Sequence, residues 1–281
     1  MKDSEGIPFL QWCLPRLHLR WPGFRKVRRQ VYRRIDRRMK ELGIKTVPEY
    51  QSYLATHSAE WLELEKLCWI SISRFYRDKR VFECLERNVL PHLARRTLEE
   101  QEHTIRCLCI GCAAGEEPFT LAILWNLVLS SQYPTLGLRI FATDADPHAI
   151  ERAQRACYPA SSLKDLPDGW RDKAFSQSQE GFCLKEEFRV PVTFQEEDVR
   201  STGPEGRFHL ILCRYLVFTY FDEEMQLKTL NAIMNRLLPG GALVIGKTES
   251  LPEGTLGVEA WREELKIFRK GEERAVLDPI A

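Results

Sequence analysis

From Ile105 onward the chain alternates short apolar runs with amphipathic helical stretches, and this alternation limits the folds open to it. Strand-like apolar runs occupy residues 105–111, 138–143, 192–198, 208–215 and 242–247, and helical patterns occupy residues 116–130, 147–156 and 222–237. Strands separated by helices pair in parallel, and the helices cover both faces of the sheet. We therefore expect an α/β fold with a doubly wound, mostly parallel sheet.

The chain before this region carries only helical patterns. Helices are predicted at residues 24–42, 47–55, 58–70 and 79–94. Residues 157–191 interrupt the α/β pattern with turn-rich sequence, a short helix and a hairpin predicted within residues 181–190. The predicted organisation is an all-helical N-terminal domain over residues 1–95, an α/β domain over residues 96–281, and a small inserted β-subdomain over residues 157–191.

Composition and charge exclude several classes of protein. The chain has 281 residues, a net charge of +1 and 44% hydrophobic residues, which is typical of an ordinary globular protein. No run reaches the roughly 18 apolar residues of a membrane span, and the N-terminus lacks the layout of a signal peptide. We expect a cytoplasmic monomer that does not insert into membranes.

The cysteines indicate packing rather than chemistry. Nine cysteines, an odd number, occur without an export signal, so we expect no disulfide framework but reduced, mostly buried thiols. Cys109 and Cys112 form a C-x-x-C, but no second Cys or His pair follows at zinc spacing. No metal site is predicted.

The loop after the first predicted strand, GCAAGEE, is the first candidate binding site, because ligands of parallel sheets bind beyond the carboxyl ends of the strands. Gly111 and Gly115 let the backbone pass close to a ligand, and the N–H groups of the following helix face the same spot. The loop lacks the spacing of a phosphate loop or a dinucleotide fingerprint. Glu116 and Glu117 would repel a pyrophosphate but suit a cationic amino-acid group, such as that of S-adenosylmethionine.

Two further acids close predicted strands. Asp144 ends RIFATD, where an acid can accept hydrogen bonds from both ribose hydroxyls. Asp198 ends VTFQEED and is placed to meet an adenine amino group. Either acid alone is typical of a solvated strand end. Together with the glycine loop, the two acids predict an S-adenosylmethionine site.

Ordered motifs along most of the chain resemble those of the chemotaxis-receptor glutamate methyltransferases, the CheR family. The segments that carry the resemblance are SRFYRD (73–78), GCAAGEEPFTLA (111–122), FATDAD (141–146), YPASSLKDLP (158–167), FHLILCRYLVFTYFD (208–222) and GALVIGKTESL (241–251). The resemblance implies a Rossmann-like class I methyltransferase fold with seven strands. It also implies carboxyl O-methylation of protein glutamate side chains, with S-adenosylhomocysteine as the other product.

The resemblance further implies roles for individual residues. The cofactor-binding residues would be Gly111, Cys112, Ala113, Gly115, Glu117, Asp144, Asp198, Arg214 and Tyr215. Arg77 and Tyr220 would face the methyl group and act in catalysis. A glutamate acceptor, with a pKa of about 4.3, is already ionised at neutral pH and needs positioning rather than a general base. Arg77 and the Tyr220 hydroxyl would align it by hydrogen bonds.

The predicted helix at residues 24–42 is amphipathic and basic, with arginines around a stripe that includes Val31, Ile35 and Met39. Arginine runs occur on solvated surfaces and in nucleic-acid-binding proteins. The resemblance instead implies a docking surface for an acid-rich protein substrate, which the positive charge would steer. We expect no nucleic-acid partner.

Four features depart from the family pattern. Tyr215 replaces an asparagine beside the cofactor, Lys247 replaces a histidine, and one additional residue precedes Tyr220. Only SQSQ (176–179) stands where some members carry a receptor-tethering insertion. These departures leave two alternatives open: a CheR-like methyltransferase that acts on a small-molecule carboxylate or thiol, and a non-catalytic module that binds S-adenosylmethionine.

Overall fold

The computed structural model describes residues 1–201 and 205–272. Its helices are α1 (Asp3–Cys13), α2 (Trp21–Phe24), α3 (Arg28–Glu41), α4 (Val47–Thr56), α5 (Ser58–Leu67), α6 (Lys79–Cys84), α7 (Leu90–Glu99), α8 (Glu116–Leu124), α9 (Pro147–Arg155), α10 (Trp170–Ala174), α11 (Glu186–Arg189), α12 (Val217–Tyr220) and α13 (Glu223–Arg236). Its strands are β1 (Thr104–Ile110), β2 (Gly137–Asp144), β3 (Cys157–Tyr158), β4 (Phe175–Ser178), β5 (Gly181–Leu184), β6 (Val192–Glu196), β7 (Phe208–Cys213), β8 (Leu237–Ile245), β9 (Val258–Arg262) and β10 (Ile267–Lys270).

Within the described ranges, seven strands form one sheet in the order β6-β2-β1-β7-β8-β10-β9. The first five strands in this order run parallel, whereas β10 pairs antiparallel with both β8 and β9. The predicted α/β fold with a mostly parallel, seven-stranded sheet is confirmed. The strand order reverses at β1, which lies between β2 and β7, so the loops after these strands meet at one switch point.

The central strand β1 is almost entirely buried. Cys107, Leu108 and Cys109 have 0% of their surface exposed. A strand covered on both faces reads as a continuous apolar run instead of an alternating one. This explains why LCI, at residues 108–110, could be predicted as a strand from its composition.

Among the described residues, one compact unit consists of residues 72–201, 205–214 and 229–272. It includes α6 and α7, which the π-helical stretch Leu85–Val89 joins. Val81, Leu85 and Leu93 of this helical segment belong to the same buried cluster as Ile105 of β1. The division therefore differs from the predicted boundary at residue 95, because the apolar face of this segment packs into the core of the sheet.

The other compact unit consists of residues 1–71 and 215–228. Its third helix, α3, occupies most of the predicted basic helix at residues 24–42. The buried residues of α3 are Val31, Tyr32, Ile35 and Met39, at the spacing of one helical face. Helix α1 also belongs to this unit and was not predicted from the sequence.

A buried carboxylate, Glu60, links three helices of this unit. Arg38 of α3 donates to its two oxygens at 2.9 and 2.7 Å, and the Tyr50 hydroxyl of α4 donates at 2.9 Å. Only 4% of the Glu60 side chain is exposed. Burial acts to raise the pKa of Glu60, but the hydrogen bonds from Arg38 and Tyr50 outweigh it, and the pKa lies below its ordinary value.

The predicted insertion at residues 157–191 contains a small antiparallel sheet. Of the described residues, three short strands build it in the order β3-β5-β4. The hairpin is formed by β4 and β5, so β5 falls within the predicted hairpin at residues 181–190 but its partner strand precedes that range. Residues 186–189 are helical instead, because Phe188 is buried and acidic residues favour a helix N-terminus.

Two cysteines of this small sheet form a disulfide. Cys157 of β3 and Cys183 of β5 are directly opposed in the strand register, with their Cα atoms 4.0 Å apart. The expectation that all thiols are reduced is therefore wrong for this pair, because pairing of the strands brings together residues 26 positions apart. The other seven cysteines form no disulfide and are buried, as expected.

No helix in the described ranges combines the length and the apolar character that crossing a bilayer requires.

Candidate cofactor and acceptor site

The glycine loop between β1 and α8 is shaped by positive φ angles. Gly111, Ala113 and Gly115 have φ of 71°, 51° and 88°. The N–H groups of Gly111 and Cys112 both donate to the Thr143 carbonyl, at 2.8 and 2.9 Å, and so tie the loop to β2. A Cβ on Gly115 would lie only 3.0 Å from the nearest side chain, so a glycine there satisfies both the conformation and the packing.

Asp144, the last residue of β2, holds this loop through its side chain. Its Oδ2 accepts the N–H of Ala113 at 2.8 Å, and its Oδ1 accepts the N–H of Asp146 at 3.0 Å. Burial raises the pKa of Asp144 above its ordinary value, although these hydrogen bonds oppose the shift. Each carboxylate oxygen keeps further acceptor capacity, so Asp144 can also accept hydrogen bonds from a vicinal diol.

Arg214, directly after β7, lies between two carboxylates. Its Nη1 is 2.8 Å from Oε2 of Glu117, and its Nη2 is 2.5 Å from Oδ2 of Asp78. The exposed fraction is 3% for the Arg214 side chain, 14% for Glu117 and 21% for Asp78. With both carboxyls ionised, these three side chains carry a net negative charge.

The electrostatics of Glu117 suit a cationic ligand. Burial raises the pKa of Glu117 above its ordinary value, and the ion pair with Arg214 opposes this shift only in part. An ammonium group arriving beside Glu117 would favour the ionised carboxylate. We therefore regard the three charged side chains Asp78, Glu117 and Arg214, named here the Arg214 cluster, as the part of the site that fits the amino-acid end of S-adenosylmethionine.

Arg77 is anchored beside the Arg214 cluster by its main chain. Its carbonyl oxygen accepts a hydrogen bond from Nη2 of Arg214 at 3.1 Å, and its own Nη1 donates to the Ile72 carbonyl at 2.7 Å. The positive charge of Arg77 is also one of the influences that lower the pKa of Glu117. The structure thus brings this predicted catalytic residue next to a predicted cofactor residue.

Asp198 lies beyond the end of β6 and is engaged by a neighbour in the chain. The Arg200 guanidinium donates to both of its oxygens, at 2.9 and 3.0 Å from Nε, and the Arg200 backbone N–H donates at 2.9 Å. Burial acts to raise the pKa of Asp198, but the contacts with Arg200 outweigh it and the pKa is lowered. The contact of Asp198 with adenine stays a prediction.

Tyr215 and Tyr220 belong to the compact unit of residues 1–71 and 215–228. Tyr215 has a φ of 59°, a left-handed conformation that is uncommon for an aromatic residue. The ring of Tyr220 packs against Phe24 with centroids 5.0 Å apart. The Tyr220 carbonyl accepts the N–H of Arg20 at 2.8 Å. These contacts hold α12, and the predicted roles of both tyrosines stay predictions.

The structure collects most of the predicted site residues at the carboxyl ends of β1, β2 and β7. Those within the unit that contains the sheet are Arg77, Gly111, Cys112, Ala113, Gly115, Glu117, Asp144, Asp198 and Arg214. Asp78 was not singled out from the sequence. One signal in the sequence could have identified Asp78: it is an acid directly after the SRFYR motif. A buried arginine such as Arg214 needs a negatively charged partner, and an acid in a site motif is a candidate for that partner.

One group in the described ranges has the spacing of metal ligands, and its charges are already paired. Ligand atoms of Glu100, Glu102 and His209 lie within 4.8 Å of one another. Arg106 contacts Glu102 at 2.6 Å and donates its backbone N–H to Nδ1 of His209 at 3.1 Å, while Arg96 contacts Glu100 at 2.8 Å. Cys109 and Cys112 do not belong to the group, and burial raises their pKa values well above the ordinary range.

Comparison with known proteins identifies the family. Residues 71–264 match the S-adenosylmethionine-binding domain of the CheR methyltransferases, and residues 26–67 match the all-α domain of CheR methyltransferases. An uncharacterised 104.1 kDa protein of Rhodobacter capsulatus is 33% identical over 79% of this chain. A probable chemotaxis protein methyltransferase of Rhizobium etli is 29% identical over 78% of this chain, and a chemotaxis protein methyltransferase of Listeria innocua is 28% identical over 73%.

The matches differ in how much of each relative they cover. The matched region is 23% of the Rhodobacter protein but 83% and 75% of the Rhizobium and Listeria proteins. The first family match alone extends over residues 71–264, more than half of this chain. The chain therefore belongs to the CheR family of S-adenosylmethionine-dependent methyltransferases.

Proposed function

We propose that the protein transfers the methyl group of S-adenosylmethionine to glutamate side chains of an acid-rich protein. The observation that carries this proposal is the position of Arg77, whose carbonyl accepts a hydrogen bond from Arg214 at 3.1 Å while Arg214 pairs with Glu117. A guanidinium held beside the cofactor acids suits a carboxylate acceptor, because it binds and orients such a group without removing a proton.

The cofactor supplies an activated methyl group, and the residues of this chain supply binding and orientation. In the proposed arrangement Glu117 binds the ammonium group, Asp144 the ribose hydroxyls and Asp198 the adenine amino group. The loop residues Gly111, Cys112, Ala113 and Gly115 pass close to the ligand, and Arg214 and Tyr215 lie beside it. Arg77 and Tyr220 orient the acceptor. Names of the Rhizobium and Listeria relatives, which refer to chemotaxis, support a protein acceptor.

The surface of α3 supports an acidic partner. Arg28 pairs with Asp3, Arg34 donates to the Leu67 carbonyl, and Arg38 pairs with Glu60, so these three arginines serve the fold. The exposed cations of α3 and of the turn before it are Arg25, Lys26, Arg29, Arg33, Arg37 and Lys40. Of these, Arg29, Arg33 and Arg37 recur every four residues on α3 and form a stripe along one face, which we propose as the docking surface for the acid-rich substrate.

The experiment is incubation of the purified protein with S-adenosylmethionine labelled on the methyl group and membranes from its own source. We expect label in protein, released as methanol by base, because a carboxyl methyl ester is base-labile. Label that resists base would contradict carboxyl transfer. Label confined to small molecules would favour the alternative of a metabolite acceptor, and no transfer despite cofactor binding would favour a binding module.

An Arg77→Ala variant tests the carboxylate-orienting role. We expect turnover to fall by roughly 10²-fold or more while S-adenosylmethionine binding changes little, because the guanidinium acts on the acceptor. An Arg74→Ala variant is the matched control: Arg74 lies in the same motif but pairs with Asp165 at 2.5 Å. If the turnover of Arg77→Ala stays within a few-fold of that of the unsubstituted protein, the proposed role of Arg77 is wrong.

A further inference from the structure

Asp78 occupies an unusual position for an acid at the start of a helix. It is the N-cap residue of α6, with φ 63° and ψ 60°, and its side chain makes no capping hydrogen bond. An N-cap aspartate ordinarily accepts a hydrogen bond from the second or third N–H of its helix. Here Oδ2 instead lies 2.5 Å from Nη2 of Arg214. The side chain thus contacts a partner 136 residues away in the sequence instead of capping its own helix.

The consequence of this contact lies in the charge of the Arg214 cluster. Arg214 is 3% exposed and pairs with Glu117 at 2.8 Å. If Glu117 were the sole countercharge, the pair would be neutral, and the carboxylate would offer little attraction to a cation. Asp78 adds a second negative charge on the opposite terminal nitrogen of the guanidinium. Arg214 then divides its positive charge between two carboxylates, so it neutralises Glu117 less than it would in an exclusive pair.

We propose that Asp78 is a positioning residue that balances Arg214 and thereby leaves Glu117 able to bind the ammonium group of S-adenosylmethionine. This inference rests on the proposed cofactor site. Asp78 itself acts through Arg214, because its contact is with the guanidinium. Its effect is therefore specific for ligands that carry the amino-acid group.

A purely conformational role for Asp78 predicts a different behaviour. Aspartate and asparagine both tolerate the left-handed region better than most residues, and asparagine also suits an N-cap. An Asp78→Asn variant therefore preserves the backbone preference and the side-chain size while it removes the charge. If Asp78 serves only the turn, this variant should bind every adenosyl ligand as the unsubstituted protein does.

The experiment is calorimetry of the full chain with S-adenosylmethionine, S-adenosylhomocysteine and 5′-methylthioadenosine, which lacks the amino-acid group. For Asp78→Asn we expect roughly tenfold weaker binding of the first two ligands. We expect 5′-methylthioadenosine to bind within about twofold of its usual affinity, because it has no ammonium group. Asp172→Asn is the matched control, since Asp172 also pairs with an arginine, at 2.9 Å, but is 73% exposed.

Two results would overturn the inference: unchanged affinity for all three ligands, or equal weakening for all three, which indicates a structural defect. Should Asp78→Asn fail to fold, Asp78→Gly suits the positive φ still better and serves as the second variant. A parallel Glu117→Gln variant separates this inference from the proposed site. If Glu117→Gln leaves S-adenosylmethionine affinity unchanged, the proposed ammonium contact is wrong. If it weakens that affinity and Asp78→Asn does not, only the role of Asp78 is wrong.

Discussion

A Cβ atom on Gly23 would lie 2.3 Å from the carbonyl oxygen of Thr219. The close approach lets residues 18–24 pack against the segment that carries Tyr220. Arg20 reinforces it, because its Nε donates to the Thr219 carbonyl at 3.2 Å. The position of Tyr220 in its unit thus depends on a residue without a side chain.

We predict that Gly23→Ala lowers the free energy of unfolding by about 2 kcal/mol, because the added methyl group must push backbone atoms apart. Turnover should fall as α12 and Tyr220 shift. Gly137→Ala is the control, because the nearest atom to its Cβ would be 3.7 Å away, an ordinary contact. Urea unfolding and a methyl-transfer assay provide the measurements. Equal stability of the two variants would contradict the packing argument.

Asp144 is expected to bind a group that all adenosyl ligands share. Asp144→Asn should weaken S-adenosylmethionine, S-adenosylhomocysteine and 5′-methylthioadenosine alike, by roughly 10- to 100-fold, because charge-assisted hydrogen bonds to the ribose are lost. Asp146→Asn should bind all three normally, since asparagine can replace Asp146 as the N-cap of α9, where its side chain accepts the His148 N–H. Calorimetry on both variants measures these affinities. A loss of affinity that is confined to ligands with an amino-acid group would argue against the ribose contact.

Binding of S-adenosylmethionine should depend on pH through Glu117. Burial raises the pKa of Glu117 in the folded protein, so lowering the pH through that pKa protonates the carboxyl and weakens its attraction for the ammonium group. The unliganded protein responds in the opposite direction. A raised folded pKa means that ionised Glu117 costs stability, and this cost is relieved as the pH falls through the folded pKa toward the unfolded value, about 4.3.

Titration calorimetry across this pH range measures the first effect. The affinity should rise with pH and level off above the folded pKa of Glu117. Glu117→Gln should bind weakly and with a flatter pH dependence. A variant that retained the full slope would show that another group controls the binding.

Glu60 should show the contrary linkage between pH and stability. Its pKa is lowered in the folded protein, so its contribution to the free energy of unfolding is present above the unfolded value, about 4.3, and is lost as the pH falls through the folded pKa. Glu60→Gln should therefore destabilise the protein by about 3 kcal/mol at neutral pH and by less in acid. The exposed Glu41, 3.5 Å from Arg38, gives the control Glu41→Gln. Thermal unfolding of both variants at several pH values tests this prediction. If the loss of stability in Glu60→Gln is the same at every pH, the proposed linkage is wrong.

The exposed stripe on α3 should govern association with an acidic protein substrate. The double variant Arg33→Glu/Arg37→Glu should lower kcat/KM roughly tenfold at low salt, and the difference should shrink as salt screens the charges. Cofactor affinity should not change. Arg171→Glu/Lys173→Glu on α10 reverses two other exposed cations and serves as the control. An equal effect of both pairs would indicate net charge rather than a docking surface.

The sequence predicts those parts of the fold whose pattern is local. Strands β1 and β7 are buried over most of their length, β2 begins with alternating exposed and buried residues, and α3 has a helical stripe, so each could be located. Helix α1 was not predicted, because Pro8 lies inside it and because two of the four residues on its buried face, Gly6 and Cys13, are only weakly apolar.

Contacts between distant residues set the limit of prediction for the site. The loop glycines and Asp144 were predictable because each closes or follows a recognisable strand. Asp78 was not, because its partner lies 136 residues away. The assignment of α6 and α7 to the sheet unit depends in the same way on β1, against which they pack. Helical periodicity reveals an apolar face but not the surface that covers it.

The disulfide between Cys157 and Cys183 gives the insertion two possible covalent states. It closes a loop over a separation of 26 residues, and such a cross-link restricts the unfolded chain by an amount equivalent to about 3 kcal/mol. Oxidised and reduced protein would thus share one fold but differ in how readily the small sheet opens. Unfolding measurements on this enzyme are therefore comparable only at one defined thiol redox state.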